Sequence, residues 1–192
     1  MVGKVVVVTG VPGVGKSTVL DGALNQLKTK GVEYELIIYG DVMLELLKRK
    51  GITHRDEMRK FPVGPYREVQ REAGKQIARV AKQKPVLVDT HCLVKKPEGY
   101  YPGLPRWVLD ELKPESIVII EAPPEEVAGR RAKDAAARKR DKELLNEVVE
   151  HQQLNRATAT AYAALTGATV RIIHNRDGKL SEAIREMIEV LR

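Results

Sequence analysis

Val5-Val6-Val7-Val8-Thr9-Gly10-Val11-Pro12-Gly13-Val14-Gly15-Lys16-Ser17-Thr18 decides how the rest of the 192-residue chain reads. Lys4 to Thr9 is a continuous β-branched run, the pattern of a strand buried on both faces. The nine residues after it satisfy G-x-x-x-x-G-K-[ST] at every required position, and they open a segment of helical periodicity from about Gly15 to Lys30. Gly10, Gly13 and Gly15 let the backbone curl so that successive N–H groups point inward at an anion, with a helix N-terminus behind them. Val11, Pro12 and Val14 complete the turn. Lys16 is placed to reach the β- and γ-phosphates of a nucleotide, and Ser17, with Thr18 beside it, offers a hydroxyl oxygen to Mg²⁺. An ordinary glycine turn needs neither the full spacing nor the Lys-Ser pair, so this segment is read as a nucleoside triphosphate loop.

Working outward, strands are expected at Glu33 to Tyr39, Val86 to Thr90, Ser116 to Glu121 and Ala168 to Ile173. Between them fall helices at Asp41 to Lys50 (Asp41 as N-cap), Arg55 to Lys60, Pro65 to Gln83, Pro105 to Leu112, from Pro123 or Pro124 into a basic window, Glu143 to Leu165 and Leu180 to Leu191. His91 to Leu104 reads as a loop. Strands separated by helices predict an α/β fold in three layers, a five-stranded parallel sheet with helices on both faces, in a single domain spanning 1–192. Ligands of such sheets bind beyond the carboxyl ends of the strands, here near Gly10, Gly40, Asp89, Ala122 and Asn175.

Composition narrows the function further. Apolar residues make up 43% and charged residues 31%, as in a globular chain, and no apolar run is long enough for a bilayer. Val5 to Val8 leads into the glycine loop without a small-residue cleavage site, so a cytoplasmic protein is expected. A lone cysteine, Cys92, excludes an internal disulfide or a multi-cysteine zinc site. The net charge is +7, but Arg130, Arg131, Lys133, Arg138, Arg140, Lys139 and Lys142 face only Asp134 and Asp141, so this window carries +5 and the remainder about +2. Charge this local, with no aromatic inside it, suits a compact polyphosphate better than a nucleic-acid backbone or stacked bases.

Several segments beside Gly10–Thr18 resemble the archaeal-type adenylate kinases: Arg55-Asp56-Glu57-Met58-Arg59-Lys60, Val88-Asp89-Thr90-His91, Gly99-Tyr100-Tyr101-Pro102-Gly103-Leu104-Pro105 and Asn175-Arg176-Asp177-Gly178. The likeness runs nearly end to end. It implies a P-loop nucleoside monophosphate kinase fold with a monophosphate-binding arm at about 41–83 and a small lid at about 130–142. It implies reversible transfer of the γ-phosphoryl of Mg-ATP to AMP, giving two ADP, and often a homotrimer. Neither a membrane nor a stable nucleic-acid partner is expected.

Each further candidate has a plain alternative. Asp89 closes the third strand, where a carboxylate holds Mg²⁺ through its water shell or merely caps the strand. Arg59, in the segment resembling the arm, grips the AMP phosphate or pairs with Glu57 or Asp56. Arg131, Arg138 and Arg140 match the family's lid, closing over the transferred phosphoryl group, against the alternative of a solvated face. Ala135-Ala136-Ala137 departs from the polar stretch expected in that lid. By the resemblance Lys95 approaches the acceptor phosphate, against the alternative of an exposed lysine, and His91 is expected at most to line the acceptor pocket. Arg156 shares a helical face with Val149 and Ala163 and needs an anion, either a nucleotide phosphate or a carboxylate. Cys92 is expected in packing and Trp107 in the core or an interface. The catalytic set is thus Lys16, Arg59, Arg131, Arg138 and Arg140. AMP is assigned to Arg59, His91, Lys95 and Arg156, and the metal to Ser17 and Asp89. The rival readings are the same fold acting on CMP, UMP or a shikimate-type alcohol, for which Asp41 could serve as base, or a nucleic-acid-associated ATPase.

Overall fold

The structure is a computed structural model that describes residues 4–49, 51–59, 61–96, 99–134 and 145–192. Five parallel strands, β1 (Val5–Thr9), β2 (Glu35–Ile38), β3 (Val86–Asp89), β6 (Ser116–Glu121) and β7 (Thr169–His174), form one sheet in the order β2-β3-β1-β6-β7. β1 is central, paired in parallel with β3 on one side and β6 on the other. Its side chains alternate between two cores, as strand geometry requires. Val5 and Val7 pack with α2 (Tyr39–Lys48), α4 (Val63–Ala81), α5 (Arg106–Leu112) and α7 (Leu145–Thr166). Val6 and Val8 pack with α1 (Lys16–Lys28), α8 (Leu180–Leu191) and Val127 of α6 (Pro124–Asp134). The expected three layers and parallel sheet are therefore present.

Two expectations need correction. His91 to Leu104 contains an antiparallel hairpin, β4 (Leu93–Lys96) and β5 (Gly99–Pro102). Its strands mix lysines with tyrosines and are bounded by Gly99 and Pro102, so neither period nor composition announces them. The second correction concerns Asp41. The helix begins at Tyr39 after Ile38, Asp41 lies inside the first turn, and its carboxylate binds Arg55 of the short helix α3 (Arg55–Arg59) rather than capping.

Candidate active site

The loop between β1 and α1 is anchored by two inward valines, Val11 and Val14, both buried. Gly13 and Gly15 have φ of 91° and 81°, the left-handed region that side chains with a Cβ avoid. Space matters equally: a Cβ on Gly10 would lie 2.6 Å from the Ile120 carbonyl oxygen, and one on Gly15 would overlap the Asn175 amide. The loop's carbonyls are claimed by side chains. Arg131 Nε donates to Pro12 O at 2.7 Å, Asn175 Nδ2 to Val14 O at 2.8 Å, and Arg130 Nη1 to Val14 O at 3.3 Å. Each trans peptide points its N–H opposite to its C=O. Holding the Pro12 and Val14 carbonyls therefore turns the Gly13 and Gly15 N–H groups the other way, the arrangement of an anion cradle.

Lys16 opens α1 and reaches across to β3, where its ammonium contacts Asp89 and donates to Thr90 O at 3.4 Å. Both partners are largely buried. Burial, with the Arg55 charge second, lowers the Lys16 pKa to about 8. Arg55 itself belongs to the separate helix α3. It is held there by Asp41, over Gly40. Ser17 is exposed in the first turn of α1. Ser17 and Asp89 present hydroxyl and carboxylate oxygens beside the cradle, the hard donors that suit Mg²⁺ completed by substrate phosphates.

The remaining candidates divide. His91 contacts Gly10 O through Nδ1 at 3.3 Å, joining the loop after β3 to the phosphate loop. Arg131 sits on that loop. Lys95 pairs with Glu147 at 2.8 Å, at the start of α7. Arg156 embraces Glu121 through both Nε and Nη2, so its anion is the carboxylate. Glu121 ends β6, on the opposite side of β1 from Asp89. Arg59 lies in α3, and its side chain, like Arg138 and Arg140, falls outside the described residues. Cys92 is buried and its thiol is pushed up to about 12, chiefly by desolvation, which suits packing and not nucleophilic chemistry.

Three groups were not singled out by sequence reasoning. Arg55 lies four residues before Arg59 in the same quoted string. Arg130 was counted only as charge, yet it donates to Glu126 at 2.9 Å, to Asn175 O at 3.0 Å and, through Nε, to Asp177 at 3.0 Å, tying α6 to the loop after β7. Asn175 lies in a quoted string too, but without a role.

A family model for the AAA domain matches residues 9–149. An adenylate kinase from Methanopyrus kandleri is 53% identical over 192 residues, 99% of this chain and 98% of that protein. An adenylate kinase from Methanocaldococcus jannaschii is 49% identical over 193 residues, all of both chains. Among solved structures, a shikimate kinase from Bacteroides thetaiotaomicron superposes with a TM-score of 0.58 over 98% of both chains at 16% identity. A gluconokinase from Sinorhizobium meliloti gives 0.52 over 99% of this chain and 91% of that one at 18% identity. These two structural likenesses establish the fold.

Proposed function

This chain belongs to the adenylate kinase family, and we propose that it transfers the γ-phosphoryl group of Mg-ATP reversibly to AMP, giving two ADP. The observation that carries the reading is the convergence at one cradle of Lys16 from α1, Asp89 from β3 and Arg131 from α6, whose Nε donates to Pro12 O at 2.7 Å. A triphosphate loop alone serves many reactions. A cation brought to it by a separate helix supports a second, anionic substrate.

The AMP phosphate is already anionic near neutral pH, so transfer needs positioning and charge stabilisation rather than a strong base. Gly10–Thr18 holds the donor phosphates, and Lys16 exchanges Asp89 for their oxygens. Ser17 and Asp89 would hold Mg²⁺, which would neutralise phosphate charge. Arg131, with Arg138 and Arg140, closes over the transferred group as the lid at about 130–142. Arg55 and Arg59, from the arm at about 41–83, grip the acceptor phosphate, and His91 lines its site. Lys95 and Arg156 would have to leave Glu147 and Glu121 to join them. The positions of Arg130 and Arg131 on the phosphate loop favour a lid over a nucleic-acid surface for the basic window. A homotrimer belongs to the same reading through the resemblance, and a cytoplasmic location through the lone cysteine and the strand-like opening of the chain. No described helix is long and apolar enough to cross a membrane.

The test is product formation from Mg-ATP with AMP, CMP, UMP, GMP, dTMP and shikimate in parallel. Two ADP per AMP consumed, with the other acceptors much slower, is the expected result. Phosphorylation of another acceptor with AMP inert would overturn the assignment, and hydrolysis of ATP with every acceptor inert would remove the kinase reading. In the same assay Arg55→Met is expected to raise the KM for AMP by about 10- to 100-fold, the worth of a charge-assisted hydrogen bond. The KM for ATP should move less than about threefold, because Arg55 grips the acceptor only. Equal shifts in both constants would place Arg55 elsewhere.

A further inference from the structure

We propose that the Thr9 hydroxyl, held by Asn155, is the positioning element that sets the donor loop against the acceptor side of the site; the inference rests on the kinase reading above. Thr9 is the last residue of β1, immediately before Gly10, and is wholly buried. Its Oγ1 accepts the Cys92 N–H at 3.0 Å and donates to Asn155 Oδ1 at 3.2 Å. Asn155 and Cys92 are buried as well. One hydroxyl therefore joins three segments with separate tasks. β1 leads into the phosphate loop. Cys92 follows Asp89, Thr90 and His91, which face Lys16 and Gly10. Asn155 belongs to α7, whose Glu147 pairs with Lys95 of β4.

The connection continues beyond Thr9. Cys92 O accepts from Tyr162 Oη at 3.0 Å and from Gly103 N at 2.8 Å, and Tyr162 Oη accepts from Leu104 N at 3.4 Å. Two bonds to α7, at Asn155 and Tyr162, thus bracket Cys92. None of these contacts is needed to close the sheet. β1 and β3 already pair from Val5 with Val86 to Val8 with Asp89, and the Thr9–Cys92 bond begins where that ladder ends. It fixes the path of the chain after the strands diverge, which is where the two substrates must meet. Thr9 is the group that satisfies both Cys92 N–H and Asn155 Oδ1, so a side chain of the same shape without the hydroxyl would release both at once.

In-line transfer is steep in geometry: displacement of a reacting group by about 1 Å can cost on the order of 10²-fold in rate. Thr9→Val keeps the volume and removes the hydroxyl, and is expected to lower kcat by about 10- to 100-fold. The KM values for ATP and AMP should stay within about threefold, because the phosphate-gripping groups are intact. Thr9→Ser restores the hydroxyl while losing a buried methyl, so it should melt at a lower temperature than wild type yet recover kcat to within about threefold. Asn155→Ala removes the acceptor of the Thr9 hydroxyl while leaving that hydroxyl to Cys92 N–H, and is expected to reduce kcat by about 3- to 10-fold. It tests the same connection if Thr9→Val does not fold.

Melting temperatures of all four proteins are measured beside kcat and both KM values. A merely structural role predicts that kcat follows melting temperature across the set, with Thr9→Ser as impaired as Thr9→Val. That outcome, or folded Thr9→Val or Asn155→Ala with kcat within twofold of wild type, overturns the proposal. Failure of the wild-type protein to form ADP from ATP and AMP would instead overturn the kinase reading, so the two failures are distinguishable.

Discussion

Lys16→Met is expected to reduce kcat/KM for phosphoryl transfer by at least about 10³-fold, the scale on which a single cation at a transferring phosphoryl group acts. Lys16 is the side chain that links the cradle to β3, and it does so from a largely buried position. Burial, with the Arg55 charge second, lowers its pKa to about 8. The ammonium is thus poorly hydrated and available to an incoming polyphosphate. Methionine fills most of the same space, so the loss is one of charge. It also strips Asp89 of its partner, leaving a carboxylate that is itself largely buried facing the phosphates. Part of the deficit is then repulsion of ATP and part is lost stabilisation of the transition state. The double variant Lys16→Met with Asp89→Asn separates them: ATP affinity should recover partly by calorimetry, while turnover stays low. A single variant with more than a tenth of wild-type kcat/KM would show that the contact with Asp89 is structural and that Lys16 does not act on the phosphates.

What was legible beforehand follows from the range over which each feature is encoded. Gly10–Thr18 is local, and every position in it answers to one physical demand, whether a left-handed turn, a close approach, a charge or a hydroxyl. The β-branched runs of β1 and β6 are equally plain, because strands buried on both faces are apolar along their middles and keep polar residues to their ends. Asp89 was readable as a polar residue ending such a run. Arg55 was harder. It stands four residues from Arg59, just over one helical turn, so the two positions share a face of α3 and periodicity cannot choose between them. The partners of Lys95 and Arg156 were hidden for a different reason. Glu147 and Glu121 lie 52 and 35 residues from them, and a cation's need for an anion does not say which anion is brought near. Thr9 and Asn155 are the extreme case. A threonine ending a strand and an asparagine within a helix carry no signal of their own, and 146 residues separate them. The hairpin at Leu93–Pro102 lacked the alternation of a strand because its lysines turn inward as well as outward. Lys96 is buried, with its ammonium 4.1 Å from the centre of the Tyr66 ring.

Gly103→Ala is expected to cost about 3 kcal/mol or more of stability, beyond the usual range for adding one methyl group to a packed site. Gly103 follows β5 and donates its N–H to Cys92 O at 2.8 Å. A Cβ there would stand 2.9 Å from the His91 carbonyl carbon, closer still to its oxygen, and 3.3 Å from Cys92 O. All three are backbone atoms, so no rotamer change relieves the overlap. The chain at His91–Cys92 must move, and that stretch lies between the Lys16–Asp89 contact and the Thr9 hydroxyl. Loss of stability and loss of turnover should therefore appear together. Gly64 in α4 and Gly129 in α6 supply the contrast, since a Cβ at either meets nothing within 4 Å. Alanine at those helical positions should stabilise the protein by about 0.5–1 kcal/mol by restricting the unfolded chain. In a chain of this size, 3 kcal/mol corresponds to a fall of roughly 6–12 °C in melting temperature. Thermal or urea denaturation of the three variants distinguishes a glycine required by close backbone approach from glycines that are merely present. A Gly103→Ala protein within about 1 kcal/mol of wild type would mean that the hairpin and the acceptor loop separate at little cost.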